Sequence, residues 1–197
     1  MRITGGAWRS RRLKGPGKLE TLRPTPDAMR ERVFAVLADR VHRAAVLDLY
    51  AGTGAIGLEA LSRGADRVVF VERHRSAVEL IRSNCAAFEL GGERVRLIAR
   101  EARPSVDLLI AERAVFDLAW ADPPFESWLD GLRVLTVVIT SELLTPAAIA
   151  CLECPEKADV ANHLASGIEI VRDLKGGASR VVMLRAEMEA GCQALET

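Results

Sequence analysis

Four consecutive residues, Asp122-Pro123-Pro124-Phe125, place a carboxylate, two prolines and a flat ring directly after an apolar run at residues 115–121. The prolines fix φ and lack backbone N–H donors, so carbonyl oxygens remain as acceptors beside the Asp122 carboxylate. An amino group on a nucleobase could donate to Asp122 and to the Pro123 carbonyl while its ring stacks on Phe125. The tetrapeptide therefore indicates chemistry on an amino nitrogen, and a rigid turn that closes a buried strand is the alternative.

A glycine loop lies upstream, where residues 52–57 match the pattern G-x-G-x-x-G between a predicted strand and a predicted helix. Glycines at such a loop allow a tight turn and a close approach of the backbone to a ligand. The ligand could be the pyrophosphate of a dinucleotide or the methionine and ribose parts of S-adenosylmethionine. Asp48 favours S-adenosylmethionine, because a carboxylate beside the loop can face the cationic methionine moiety.

Two further acids extend this predicted cofactor site. Glu72 ends the second predicted strand and can accept hydrogen bonds from ribose hydroxyls of either ligand. Glu101 follows the third predicted strand, where it either contacts an adenine amino group or is a solvated loop acid. The candidate cofactor contacts share positions on the loop or at the ends of these strands: Asp48, Ala51, Gly52, Thr53, Gly54, Gly57, Glu72, Arg73, Glu101 and Ala102.

The elements that must position these residues alternate from residue 46 onward, which is typical of an α/β fold with a parallel sheet covered on both faces. Strands are predicted at 46–50, 67–72, 95–99, 115–121 and 147–154, and helices at 56–63, 75–90, 104–113 and 127–142. A final hairpin is predicted from 168–173 and 180–185 around Lys175-Gly176-Gly177. An earlier helix begins near Thr25 or Asp27, either of which can cap it.

Charge is distributed unevenly along the chain, although the total is zero. Residues 1–43 contain 11 Lys and Arg against 4 Asp and Glu, and the remainder carries the opposite balance. We expect residues 1–22 to form a folded β-hairpin or extended arm with its turn at Gly15-Pro16-Gly17. A basic arm suits a nucleic-acid backbone, since each Lys or Arg placed on a phosphate releases counterions. A solvated, charged terminus is the alternative.

Length and composition limit the other possibilities. The 197 residues predict one main domain, and the absence of a long apolar stretch or a secretory h-region predicts a cytoplasmic protein with no membrane span. Four cysteines fit that compartment, where thiols stay reduced. Cys151 and Cys154 form a C-x-x-C, but they fall in an apolar run, so we expect a buried strand rather than a metal or redox site.

Several segments together resemble one known family. Residues 48–65 resemble motif I of the RsmD-type ribosomal RNA methyltransferases, and residues 2–9 resemble that family's N-terminal arm. Leu22-Arg23-Pro24-Thr25, with Asp27 and Arg30, resembles its next motif. The resemblance implies a Rossmann-like class I methyltransferase fold, with seven mostly parallel strands and an antiparallel last strand. It divides the chain into an arm at 1–22, a methyltransferase domain at 23–185 and a disordered tail at 186–197.

The resemblance also implies an activity, the transfer of a methyl group from S-adenosyl-L-methionine to N2 of a guanine in small-subunit 16S ribosomal RNA. Asp122 and the Pro123 carbonyl would accept hydrogen bonds from the guanine amino group, and Phe125 would hold the base. The substrate would be the RNA or a small-subunit assembly intermediate, with no metal, and the enzyme would be a monomer. The implied RNA-binding residues lie on the arm and near the first helix: Arg2, Trp8, Arg9, Arg11, Arg12, Lys14, Arg23 and Arg30.

Three other functions compete with this interpretation. An adenine N6 methyltransferase of DNA could also use residues 122–125, although the basic arm argues against it. A dehydrogenase could use the glycine loop with Glu72, but residues 122–125 would then have no purpose. A non-catalytic RNA-binding protein is the third. For Trp8 itself, packing is weighed against stacking on a base. Glu101 stands where the family more usually has Asp or Asn.

Overall fold

The computed structural model describes residues 1–15 and 25–187. The predicted turn residues Pro16 and Gly17, the RNA-binding candidate Arg23 and the tail from residue 188 lie outside these ranges. Five α-helices are present in the described part: α1 (Asp27–Leu37), α2 (Ala55–Ser62), α3 (Arg75–Ala87), α4 (Ala102–Ala111) and α5 (Trp128–Thr140). Seven strands are β1 (Ala45–Leu49), β2 (Arg67–Val71), β3 (Val95–Ile98), β4 (Phe116–Ala121), β5 (Leu144–Pro155), β6 (Ile168–Gly176) and β7 (Ser179–Ala186).

The seven strands form one sheet in the order β3-β2-β1-β4-β5-β7-β6. Strands β1 to β5 pair in parallel, whereas β7 is antiparallel to both β5 and β6. This topology confirms the predicted fold class. The chain order reverses between β1 and β4, and in open parallel sheets a crevice forms at the carboxyl ends of the strands at such a point.

Side chains alternate between two hydrophobic cores on opposite faces of the sheet. Val46, Phe70 and Trp120 belong to the core under α1, α2, α3 and the arm. Leu47 and Ala119 belong to the core under α4 and α5. All eight residues of α2 are buried, because residues 1–15 cover the side of this helix that faces away from the sheet.

The N-terminal segment contains a turn ahead of the predicted one. Arg2 forms an isolated antiparallel bridge with Arg12, so the chain turns within residues 5–10. Gly6 and Ser10 adopt positive φ values of 75° and 69° in this turn. The predicted helix cap is also wrong, because Pro26 precedes α1 and no side chain caps the helix.

The C-x-x-C pair lies in β5, as the prediction of a buried strand requires. Cys151 packs in the core on the α2 side, and Cys154 packs in the core on the α5 side. The two thiols therefore point to opposite faces of the sheet and cannot bind one metal ion together. Within residues 1–15 and 25–187, no helix is long and apolar enough to cross a bilayer.

Candidate active site

A cavity of about 860 Å³ opens at the carboxyl ends of the parallel strands. The glycine loop after β1 and the loops after β2, β3 and β4 form its walls, which brings most of the predicted site together. The predicted residues that line it are Asp48, Ala51, Gly52, Thr53, Glu72, Arg73, Glu101, Ala102, Asp122, Pro123 and Phe125. Gly54 and Gly57, predicted as cofactor contacts, are not part of the lining.

The glycine loop turns sharply where β1 ends. Tyr50, Gly52 and Gly54 all have positive φ, at 59°, 53° and 75°. Such a conformation is uncommon for a tyrosine, and strained backbone of this kind clusters at ligand sites. A Cβ atom on Gly57 would lie 2.3 Å from the Phe70 ring, so Gly57 lets α2 pack closely on β2. Gly57 thus shapes the site without contacting the cavity.

Two carboxylates hold this loop in place. Asp48 Oδ2 accepts the Gly57 amide at 3.0 Å, and Glu72 Oε2 accepts the Gly52 amide at 2.8 Å. The second Glu72 oxygen accepts the His74 amide at 2.8 Å. Each carboxylate oxygen can accept more than one hydrogen bond, so both acids can still accept from a ligand.

Glu101 lies at the rim of the cavity rather than in its interior. Its side chain is 68% exposed and forms a 3.5 Å ion pair with Arg73. Ala102, by contrast, is buried at the first turn of α4. The exposure of Glu101 fits either of its two predicted roles, an adenine contact or a solvated loop acid.

Residues 122–125 form a fixed turn after β4. The Pro124 carbonyl accepts hydrogen bonds from the Ser127 amide and hydroxyl, at 2.9 and 3.2 Å. Pro123 packs directly on Gly131 of α5, where an added Cβ would lie 2.4 Å from the proline Cγ. The turn therefore presents Asp122 and Phe125 to the cavity from a rigid base.

The acids of the cavity have unusual protonation equilibria. Burial raises the pKa of Asp48 to about 8, the nearby Glu72 charge adds to the rise, and the Gly57 hydrogen bond opposes it. Burial also raises the pKa of Asp122 well above its ordinary value, together with the charges of Glu153 and Asp48. A cation bound between these carboxyls would favour their ionised forms.

Sequence reasoning missed several residues at the site. Tyr50, Trp120 and Thr25 line the cavity, Gly131 supports the Pro123 turn, and Glu153 lies beside Asp122. Two of them carried a signal: Glu153 is a charge inside an apolar run, and Gly131 interrupts a helical pattern, where glycine is costly.

The arm docks on α2 through a buried carboxylate. Glu59 is fully buried, and its two oxygens accept the amides of Thr4 and Gly5, the Thr4 hydroxyl and Arg63 Nε, all at 2.8 Å. A Cβ on Gly6 would lie 1.9 Å from the Ser62 carbonyl oxygen, so only glycine permits this approach. The arm is thereby fixed to the helix that follows the glycine loop.

The arm also contacts the glycine loop itself. The buried Asn84 amide donates to the carbonyls of Thr53 and Lys14, at 3.0 and 3.2 Å. Its oxygen accepts the Lys14 amide at 2.9 Å. Asn84 therefore joins residue 14 of the arm to the wall of the cavity.

The RNA-binding candidates differ in exposure. Arg2, Arg9, Arg11, Arg12 and Lys14 are exposed. The Arg11 guanidinium lies 4.2 Å from the centre of the Phe88 ring, and Trp8 packs on the same ring at 4.7 Å between centroids. Lys14 Nζ donates to Ser83 at 2.6 Å. Trp8 thus has a packing partner within the fold, as one of its two predicted roles requires.

The structure contradicts the prediction that Arg30 binds RNA. Its side chain is fully buried and donates to the Thr25 carbonyl at 2.8 Å, to Asp27 at 2.9 Å and to the Arg2 carbonyl. A guanidinium enclosed by these acceptors cannot reach a phosphate at the surface. Arg30 instead holds the arm and the start of α1 together.

Comparisons with known proteins agree with the geometry. A family model described as conserved hypothetical protein 95 matches residues 1–185. Ribosomal RNA small subunit methyltransferase D of Haemophilus influenzae is 32% identical over 155 residues, 78% of this chain and 78% of that protein. The Escherichia coli K12 protein of the same name is 36% identical over 129 residues, 66% of this chain and 62% of that protein.

The solved structure of yhhF from Escherichia coli superimposes with a TM-score of 0.77 at 27% identity, covering 96% of this chain and 99% of that chain. On the family match and the sequence identity, the chain belongs to the family of ribosomal RNA small subunit methyltransferase D.

Proposed function

We propose that this protein transfers a methyl group from S-adenosylmethionine to the exocyclic N2 of a guanine in small-subunit 16S ribosomal RNA. The observation that carries the proposal is the turn at residues 122–125, which presents a carboxylate and an aromatic ring to the same cavity as the glycine loop. The names of the relatives support an RNA substrate from the small ribosomal subunit. The choice of guanine N2 rests on the resemblance in the arm.

The residues of the glycine loop fit the cofactor. Gly52 lines the cavity without a side chain, which leaves the backbone of the loop open to a ligand, and Asp48 offers a carboxylate there. S-adenosylmethionine carries a positive charge, which stabilises the ionised form of a carboxylate with a raised pKa. Glu72 would accept from the ribose, and Ala102 would line the adenine end. When bound, the cofactor supplies the methyl group and leaves as the neutral thioether.

The residues of the turn align a poor nucleophile. The N2 lone pair of guanine is delocalised into the ring, so the amino group must lose part of that conjugation before it reacts. Asp122 and the Pro123 carbonyl would accept hydrogen bonds from its two N–H groups and favour a pyramidal nitrogen. Phe125 would hold the plane of the base, which has to leave its stack to enter the cavity. Most of the rate enhancement would come from this positioning.

The arm would hold the RNA around the target base. Arg9 and Arg12 are exposed, and within residues 1–15 and 25–187 their side chains form no ion pair. Because Glu59 and Asn84 fix the arm to α2 and to the glycine loop, RNA bound there would lie at a constant position relative to the cavity.

The proposal is tested with purified protein and cofactor labelled in its methyl group. Unmodified 16S ribosomal RNA, small-subunit particles and duplex DNA are offered separately, and the nucleosides are identified after digestion. We expect label in N2-methylguanosine from the RNA or the particles, and none with the Asp122→Ala variant. Label in N6-methyladenine from DNA, or no transfer to any substrate, would reject the proposal.

A further inference from the structure

Trp120 has a buried hydrogen-bond donor that the fold does not use. It lies in β4, is 3% exposed and lines the cavity. In the part of the chain that the structure describes, its indole Nε1 has no hydrogen-bond partner. Buried tryptophans usually pair this N–H group, and leaving it unpaired costs free energy. A ligand in the cavity that offers an acceptor to Nε1 would recover that cost.

Strand register places Trp120 beside Asp48. The two residues pair directly across β4 and β1, about 5 Å apart. Val46 and Trp120 belong to the same core, and alternate residues share a face, so Asp48 and Trp120 are on the same side of the sheet. Asp122 follows two positions later, about 7 Å further along the strand direction. Trp120 therefore lies at the level of Asp48, deeper than the turn that holds Asp122 and Phe125.

This depth decides which part of the bound molecules can reach Trp120. In the proposed function residues 122–125 hold the target base, whereas Asp48 faces the methionine end of the cofactor. That end carries a positive ammonium group and a negative carboxylate on the same carbon atom. Asp48 suits the ammonium group, and a hydrogen-bond donor next to it suits the carboxylate.

Basic side chains line a different part of the described cavity wall. They come from the segments after β2 and β3: Arg73, His74, Arg100 and Arg103. The described lining residues from β1, the glycine loop, β4 and the turn after β4 include no lysine, arginine or histidine. A cofactor carboxylate on this side loses its water and has to replace those hydrogen bonds. Trp120 offers one replacement that requires no charged side chain.

Two hydroxyls that line the cavity are already engaged within the fold. Thr25 donates to Glu153 at 2.6 Å, and Thr53 Oγ1 donates to the Met1 sulfur at 3.7 Å. The Trp120 N–H group has no such partner. It is therefore available to a ligand, whereas the two hydroxyls would first have to break a contact.

We propose that Trp120 Nε1 donates a hydrogen bond to the carboxylate of the methionine moiety of S-adenosylmethionine. The inference rests on the proposed function, whose cofactor it concerns. Asp48 and Trp120 then bind the two opposite charges of one amino-acid group, and Trp120 selects for a cofactor that keeps its carboxylate.

The test is calorimetric binding of two ligands, S-adenosylmethionine and its decarboxylated analogue, which lacks only that carboxylate. Trp120→Phe removes the N–H group and keeps an aromatic ring in the core. We expect this variant to bind S-adenosylmethionine about 10-fold more weakly than the wild type, as for the loss of a hydrogen bond to a charged group. The analogue should bind to both proteins with the same affinity, because it has no acceptor for Nε1.

Trp128→Phe is the matched control. Trp128 begins α5, packs edge-on against His163 at 5.6 Å between ring centroids and does not line the cavity. Its variant should bind both ligands as the wild type does. An equal loss for both ligands in Trp120→Phe would show that Trp120 acts only by packing, and no loss for either would show that its N–H group does not contact the cofactor. Either result overturns the inference.

Nuclear magnetic resonance of the wild type decides the question if Trp120→Phe does not fold. The chain has three tryptophans, so isotope-labelled protein gives three indole N–H signals. Trp8→Phe and Trp128→Phe each lose one signal, which identifies that of Trp120. This signal should move downfield when S-adenosylmethionine is added, and it should move much less with the decarboxylated analogue. The same movement with both ligands, or none with either, would contradict the inference.

Failure of the proposed function is recognised separately. The wild type would then bind no S-adenosylmethionine, or it would bind the cofactor and transfer no methyl group to guanine. A wild type that binds and transfers, with Trp120→Phe unaffected for both ligands, rejects only the role of Trp120.

Discussion

Two carboxylates on the same side of the sheet, the fully buried Glu59 and the half-buried Asp122, have opposite surroundings. Four donors at 2.8 Å fill both oxygens of Glu59, and two arginines lie beside it. Asp122 is at a cavity wall beside two other acids, and burial raises its pKa. A carboxylate whose acceptors are filled by the fold stabilises that fold. One with free acceptors toward a cavity is available to a ligand.

Asp122→Ala should have the largest effect on activity. It removes the acceptor for the amino group, and we expect methyl transfer to fall by about 10³-fold, as for the loss of a catalytic hydrogen-bonding group. Cofactor affinity, measured by calorimetry, should change little, since Asp48 and the glycine loop remain. Retained turnover would remove Asp122 from the mechanism.

Glu59→Gln should mainly lower stability. The change removes the negative partner of Arg63 and a buried charge beside Arg30, which keeps its ion pair with Asp27. We expect a cost of about 3 kcal/mol, by the usual range for broken buried pairs. Urea unfolding measures the loss. Glu79→Gln is the matched control, because Glu79 pairs with Arg82 on the exposed side of α3 and should cost under about 0.5 kcal/mol. If both variants lost the same free energy of unfolding, Glu59 would stabilise the fold no more than an exposed ion pair does.

Asp48→Asn should weaken cofactor binding yet stabilise the free protein. Folding raises the pKa of Asp48 from 3.8 to about 8, so its stabilising contribution is full below pH 4 and is lost as pH rises through 8. Asparagine cannot ionise, and we expect a gain of about 1–2 kcal/mol at pH 9. Urea unfolding at pH 4 and at pH 9 measures the difference.

At pH 4 the two Asp48 proteins should be nearly equal in stability, which is the internal control. Cofactor affinity in the wild type should rise with pH as Asp48 ionises, and this rise should be smaller in Asp48→Asn. A variant that is less stable than wild type at pH 9 would show that ionised Asp48 is well compensated in the fold.

The exposed arm arginines should have the smallest effect per residue. Arg9→Ala and Arg12→Ala are each expected to weaken binding to 16S ribosomal RNA and to reduce the slope of log affinity against log salt by about 1. Arg67→Ala is the control, because Arg67 is the first residue of β2 and lies at the amino end of that strand, away from the cavity. An unchanged slope in both arm variants would show that the arm has only a structural role.

Local patterns predicted most of the fold and much of the site. The parallel strands are apolar runs. The glycine loop and residues 122–125 are short motifs that each directly follow a strand. Both motifs therefore lie at the carboxyl ends of the parallel strands, where such sheets form their ligand crevice. Helix α2 was also predictable, although the charge of Glu59 inside it was not explained by any local pattern.

The remaining features depend on contacts between distant parts of the chain. Arg30 is buried because the arm folds back over α1 and offers the Arg2 carbonyl. Thr25 faces Glu153, which is 128 positions away in sequence. The early turn at residues 5–10 exists because Gly6 packs on Ser62. No local pattern encodes these partners, so the sequence wrongly predicted a helix cap at Thr25 or Asp27 and an RNA contact for Arg30.

If the acids at the carboxyl ends of the parallel strands direct a methyl group to guanine N2, cells without this protein lack one modification in their small-subunit ribosomal RNA. The most direct measurement maps modified nucleotides in small-subunit ribosomal RNA from cells without this protein, complemented by the wild type or by Asp122→Ala. We predict that one N2-methylguanine disappears and that only the wild type restores it. Ribosomal RNA with the same modifications in all of these cells would contradict the proposed function.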